Sequence, residues 1–384
     1  MPNILVCSDS FKGSLSSKEI GDIFATVAKE YDGVNITSIP IADGGEGTLD
    51  AIYSSGEYIY KEIQCSNPLF QKITAKYLVN EDTAIIEMAQ ASGLTLIPYK
   101  DGNAGYTSSY GTGELILDAI KGGSKNIYIT VGGSATNDGG IGALSALGYE
   151  FLDKDNIILK PIGFNLDKIA YINTENAIDT QGIKFTIIAD VDNPLVGERG
   201  ATFFYGKQKG AVGDFAPSLE NGMINYANVI EKQLGVHLHD KSGAGAAGGI
   251  AAGLMAFLNA EIKSGINTVL DIVHFNENLK NIDAIVTGEG CIDRQSIHGK
   301  AISGVINRAK QFNIPVYIIA GGSKLDFDEL KDIGISGIVL LSSIAKSVED
   351  SMQNAYKYAL DAANVLIALI LEGIKWIKRK SSLH

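Results

Sequence analysis

The chain has 384 residues, 45% of them hydrophobic, and its 32 Lys and Arg against 44 Asp and Glu leave a formal net charge of −12 at pH 7. That length exceeds one ordinary hydrophobic core and points to two domains. The acidity excludes non-specific nucleic-acid binding, which needs a basic face, and Cys7, Cys65 and Cys291 are too few and too scattered for a disulfide framework or a cysteine zinc site.

The first predicted element is an apolar strand, Ile4-Leu5-Val6-Cys7, which runs into Ser8-Asp9-Ser10. No secretory leader pattern precedes it, so a cytoplasmic location is expected. Ser16 and Glu19 then have capping-box spacing, and Ile20, Ile23, Phe24 and Val27 form the apolar stripe of a helix that Gly33 ends. Residues 34–41 read as a second strand, running into Asp43-Gly44-Gly45. From about Asn67 the pattern turns strand-rich, at residues 73–79 and 84–88.

The run Ile127 to Val131 reads as a buried strand, and Ile141, Leu144 and Leu147 lie on one helix face. Between them stands Gly132-Gly133-Ser134-Ala135-Thr136-Asn137-Asp138-Gly139-Gly140. A glycine-rich loop that opens a helix offers backbone N–H groups and the positive end of the helix dipole to an anion. Read more plainly it is only a turn, but its four polar side chains in five residues argue for a phosphate or metal contact. Further strands run into Asp190-Val191-Asp192-Asn193-Pro194, into Thr287-Gly288-Glu289-Gly290 and into Gly321-Gly322. Strands alternating with helices predict an α/β fold with largely parallel sheets, whose ligands bind beyond the carboxyl ends of the strands. The apolar run Val365 to Leu371, bracketed by Asp361 and Glu372, is too short for a membrane span. The basic end, Lys375 to Lys380, reads as a solvated helix end rather than an anchor.

Several familiar signatures are missing or weak. Gly299-Lys300 has Arg294 where a Walker A loop needs glycine, and Ala301 where it needs Ser or Thr. No G-x-S-x-G elbow supports a serine hydrolase. Residues 243–248 match G-x-G-x-x-G, but no convincing strand precedes them, so close packing at a helix start is the better reading. His237 and His239 are the only close histidine pair and read as structural or surface residues, with no Cys or His partner nearby. Strand ends carry Asp9, Asp43, Glu46, Asn137, Asp138, Asp190, Asn193, Glu289 and Asp293, with Lys12 and Lys300 as nearby cations. Glycine loops, oxygen ligands for magnesium, a lysine and a carboxylate base are the equipment of phosphoryl transfer.

Ser8-Asp9-Ser10-Phe11-Lys12-Gly13-Ser14 and Ala42-Asp43-Gly44-Gly45-Glu46-Gly47-Thr48 resemble the signature stretches of the bacterial glycerate kinase family. The resemblance continues in order through residues 111–115, 132–140, 190–195, 208–211 and 243–249, and ends at Thr287-Gly288-Glu289-Gly290 with Asp293, Gln295, Gly299 and Lys300. It implies a two-domain α/β kinase: a discontinuous Rossmann-like (flavodoxin-like) parallel-sheet domain over 1–66 and 282–384, with an α/β domain inserted over 67–281. It also implies ATP with Mg2+ as donor and D-glycerate as acceptor, most simply giving 2-phospho-D-glycerate, in a cleft between domains. The partners are then small molecules, with no nucleic acid or membrane, and the oligomeric state stays open. Cys7, Lys207 and Ser296 depart from the family pattern, and none of them removes a candidate catalytic group.

Within that frame, chemistry suggests roles. Asp190 is the expected base, Lys12 meets a carboxylate or transferring phosphoryl group, and Asp43 holds magnesium. Asp9, Ser10, Gly44, Gly45, Asn193, Glu289 and Asp293 are expected to contact substrate or phosphate. Gly132, Gly133, Ser134, Thr136, Asn137 and Asp138 are expected to cradle phosphate, and Lys300 to offset charge on the opposite wall. The rival readings are a kinase for another small hydroxy acid and a non-catalytic metabolite-binding protein on the same fold, which needs no base, magnesium ligands or paired lysines.

Overall fold

The computed structural model describes residues 1–381 except Glu46, Asp101, Gln295, His298 and Gly299. The chain forms two compact units. The first comprises Met1–Asp43, Asp50–Gly56 and the chain from Gly265 on; the second comprises Gly44–Leu49 and Glu57–Ser264. Both limits differ from the expected boundaries at 66/67 and 281/282. Strand Ile59–Ser66 pairs antiparallel with Lys72–Asn80, from Ile59↔Val79 to Ser66↔Lys72, so it belongs with the second unit. Helix Gly265–Ile272 belongs with the first, where Asp271 meets Arg308 at 2.7 Å. The sequence pattern places both elements on the other side, because unit membership depends on strand pairing and packing rather than on local periodicity.

The first unit holds a five-stranded sheet, in the order Gly337–Leu340, Val316–Ser323, Ala284–Ile292, Asn3–Ser8, Asn35–Ser38, with every pair parallel. Counted along this unit, that is the doubly wound order 2-1-3-4-5, whose direction reverses between Asn3–Ser8 and Ala284–Ile292. Helix Ser17–Ala28 begins with the predicted capping box and buries Ile20, Ile23, Phe24 and Val27. They pack in one core with Ala359, Ala362, Ala363, Leu366, Ile367 and Ile370 of the last helix, Ala355–Ser381. In that helix Val365 and Leu369 face outward, so the apolar run is one side of an amphipathic helix. No helix is long and apolar enough to cross a membrane among the described residues. Cys7 is fully buried, as its strand pattern predicts, and burial raises its thiol pKa.

The second unit has a six-stranded mixed sheet in the order Glu261–Lys263, Lys184–Ile188, Asn126–Thr130, Thr83–Glu87, Lys72–Asn80, Ile59–Ser66. The first four strands are parallel, and the last two add antiparallel pairs. Helices Phe215–Leu234 and Ala246–Leu258 close its core through Met223, Tyr226, Ile230, Ile250 and Leu254.

Candidate active site

At the reversal point of the five-stranded sheet, the strand ends open onto a cavity of about 570 Å³. Asp9 follows strand Asn3–Ser8, Asp43 follows Asn35–Ser38, and Glu289 lies in the last part of Ala284–Ile292. These three carboxylates line the cavity with Asp293, Lys12 and Lys300, and Ser10 completes the set drawn from the sequence-predicted site. Parallel strands put their C-terminal ends side by side, so residues far apart in sequence converge here.

Burial and crowding shift these acids. Asp9 is 7% exposed, and its Oδ1 accepts the Ser10 N–H at 2.6 Å. Loss of water and the neighbouring Asp43 charge push its carboxyl up to about 7, against the pull of the Ser10 N–H and Lys12. Glu289 also rises, chiefly through burial, with Asp293 and Asp43 adding to it; the Ser296 hydroxyl and Lys300 oppose. Glu289 Oε1 is buried with no hydrogen-bond partner among the described residues. An orphaned anionic oxygen among further carboxylates fits a hard, oxygen-seeking divalent cation such as Mg2+. Ser296, one departure from the family pattern, bonds back to Asp293 through its own N–H at 3.2 Å and takes the Asp293 N–H at 3.0 Å.

The second unit organises the glycine-rich loop. Asp138 is fully buried, and its carboxylate accepts Ser109 N–H and Oγ–H at 2.8 Å each, Gly140 N–H at 3.1 Å and Gly142 N–H at 3.2 Å. Those four donors saturate it, and through Gly140 and Gly142 they pin the turn that leads into helix Ile141–Ala146. Asn137 is equally buried and donates to Thr202 Oγ1 at 3.1 Å. Across the loop expected to cradle an anion, Thr136, Asn137 and Asp138 are buried, with Thr136 Oγ1 and Asn137 Oδ1 lacking a hydrogen-bond partner among the described residues, and Gly133 is exposed. A Cβ on Gly132 would lie 3.0 Å from Gly45 Cα, so the Gly44-Gly45 backbone packs directly against this loop.

Lys209 has no role in the sequence reading, yet it is the central cation of this region. It is 2% exposed and donates to Ser134 Oγ at 2.7 Å and to the Thr136 carbonyl at 2.8 Å. Burial lowers its pKa to about 7, against the attraction of Asp138. Its only sequence signal was its place in the block 208–211. The glycines at 243–249 prove to be packing residues. Gly248 has φ +75°, and a Cβ there would lie 2.0 Å from the Thr136 carbonyl oxygen. Only glycine allows this approach, through which Gly248 O accepts the Gly139 N–H at 3.0 Å. Asn193 is 5% exposed, donates to Arg199 O at 2.7 Å and accepts the Tyr205 hydroxyl. Asp190 is exposed just beyond strand Lys184–Ile188. Glu46, Gln295 and Gly299 lie outside the described residues.

Comparison with known proteins fits this distribution. The family model described as "Glycerate kinase family" matches residues 4–371. The chain belongs to the glycerate kinase family. Glycerate 2-kinase from Escherichia coli K12 is 39% identical over 382 residues, covering 97% of this chain and 99% of that protein. Glycerate kinase from Bacillus subtilis 168 is 38% identical over 372 residues, covering 96% and 97%. A crystal structure from Salmonella typhimurium LT2, assigned as glycerate kinase 2, aligns with TM-score 0.86 at 34% identity, over 97% of this chain and 99% of that one. This member of the family is thus an α/β kinase-family enzyme over essentially its whole length. Of its other departures from the family pattern, Cys7 is core and Lys207 is exposed.

Proposed function

We propose that the protein transfers the γ-phosphoryl group of ATP to D-glycerate, giving 2-phospho-D-glycerate. The observation that carries the mechanism is a buried carboxyl poised near neutrality, Asp9, lining one cavity with Lys12, Asp43, Glu289 and Lys300. A proton acceptor works best when its pKa lies near the working pH. Asp9 takes the proton from the attacking hydroxyl. This assignment moves the base from Asp190, which is exposed, to a group whose surroundings hold it near 7. Lys12 and Lys300 orient the substrate carboxylate and offset the charge on the moving phosphoryl group.

Asp43 and Glu289 would hold Mg2+, with the orphaned Glu289 Oε1 supplying a ready oxygen. Bound there, the ion offsets phosphate charge. Use of ATP suits the expected cytoplasmic location.

The test is ³¹P NMR of the purified protein with D-glycerate, ATP and Mg2+. A new phosphomonoester resonance is expected, and its proton coupling distinguishes phosphate on carbon 2 from carbon 3. Intact ATP in the presence of folded protein would overturn the proposal.

A further inference from the structure

Far along the chain from the acidic cavity residues, the second unit gathers two histidines and a glutamate at one point. Helix Phe215–Leu234 presents Asn228 and Glu231, three residues apart and so on one face. The segment after it holds His237 and His239 with Leu238 between them. Leu238 is 1% exposed, and the two imidazoles stack with ring centroids 4.9 Å apart. The alternation is that of extended chain: the leucine anchors the segment, and both rings fall on the other side. The backbone is also fixed, since His239 O accepts the Val196 N–H at 3.3 Å.

The ring nitrogens are arranged in matching order. His237 Nε2 lies 3.1 Å from Asp240 Oδ1, and His239 Nε2 lies 2.8 Å from Asn228 Oδ1. The Asn228 oxygen at His239 Nε2 places the proton there and leaves His239 Nδ1 with its lone pair, whereas His237 has a carboxylate oxygen at each ring nitrogen, so an ion at its Nδ1 would take the place of a proton. Both Nδ1 atoms face Glu231: His237 Nδ1 is 3.0 Å from Oε1, and His239 Nδ1 is 3.6 Å from Oε2. His239 Nδ1 is buried and has no hydrogen-bond partner among the described residues. A buried lone pair facing a carboxylate oxygen is unfavourable unless a cation lies between them.

We propose that Glu231, His237 and His239 form a binding site for a borderline divalent transition-metal ion such as Zn2+. One ligand atom from each residue lies within 4.8 Å of the other two. A tetrahedral ion with bonds of about 2.0–2.1 Å separates neighbouring ligand atoms by about 3.4 Å, a spacing that small side-chain rotations reach from the present cluster, in which the two imidazoles face different oxygens of one carboxylate. Asp240 and Asn228 are then the outer partners that fix each ring and raise its basicity. The donor set is nitrogen-rich, so it selects against Mg2+, which prefers oxygen ligands. The ion would clamp the C-terminal turn of the helix to the segment that leads into the packed glycines at 243–249.

The test is titration of the full-length, untagged protein with Co2+, read by its visible absorption bands, with Zn2+ as competitor and Mg2+ as control. One Co2+ per chain with tetrahedral bands is expected, displaced by Zn2+ and indifferent to Mg2+. Glu231→Gln and His237→Asn each alter a half-exposed side chain, and circular dichroism of the metal-free variants checks that both fold. Each should weaken Co2+ binding by about tenfold or more, and Asn228→Ala by about 10–100-fold. Absence of the bands in the wild-type protein would overturn the proposal. So would bands that persist unchanged in folded Glu231→Gln and His237→Asn.

Discussion

Lys209 Nζ lies 2.7 Å from Ser134 Oγ, and this one contact ties two segments 75 residues apart in sequence into a single loop support. The same ammonium holds the Thr136 carbonyl, and Asp138 is its charged neighbour. A lysine pKa lowered to about 7 means that the folded state holds this proton less tightly than the unfolded state. The resulting penalty is fully present below pH 7 and is relieved as pH rises from 7 towards 10.5. Wild-type stability measured by urea unfolding should therefore gain, relative to Lys209→Met, between pH 7 and pH 9. The variant should also show faster amide exchange over residues 134–140. Parallel pH curves for the two proteins would contradict a buried, shifted lysine.

Asp138→Asn should destabilise the second unit. An amide keeps only one acceptor oxygen where the carboxylate takes four donors, and its NH₂ then faces N–H groups. Leaving buried donors unpaired costs about 1–3 kcal/mol each. The expected result is a fall in the urea midpoint and a loss of activity through misplacement of the loop. A stable, inactive Asp138→Asn protein would instead point to a direct chemical role.

Asp9 gives the opposite sign of pH dependence. Its folded pKa is raised to about 7, so its contribution favours folding fully below pH 4 and is lost as pH rises through 7. At pH 8 the buried anion is a cost, and Asp9→Asn should be more stable than wild type there, by up to about 4 kcal/mol from a shift of this size. Near pH 4 the two should agree. Adding Mg2+ at pH 8 should narrow the gap, because a cation among Asp9, Asp43 and Glu289 relieves the same repulsion. Thermal melts at the two pH values with and without Mg2+ provide the check.

Activity separates the two candidate bases. Asp9→Asn should lower kcat by about 10²–10⁴-fold and remove the acid limb of the pH–rate profile. Asp190→Asn should stay close to wild type. The reverse pattern would return the base to Asp190.

Legibility varied with the kind of signal. The Ser16–Glu19 capping box and the stripe Ile20, Ile23, Phe24, Val27 were readable because a helix end and a helix face are set by residues three or four apart. Asp9, Asp43 and Glu289 were readable as strand-end acids, and parallel pairing brought them to one cavity. The buried hydrogen-bond set of Asp138 was not readable, because its donors include Ser109, 29 residues away. Lys209 was marked only by its place in the block 208–211, and its role was not readable because its partners stand at positions 134 and 136. His237 and His239 read as an unsupported pair because Glu231 and Asn228 reach them only across a helix turn.

The sequence by itself determined the α/β class, the family resemblance and the first helix with its cap, since periodicity, capping and motif order are properties of neighbouring residues. Only the tertiary structure decided where the two units divide, which polar side chains are interior supports and which carboxyl is held near neutrality. Those outcomes depend on burial and on charges brought close from distant segments, and both arise only when sheets and helices pack.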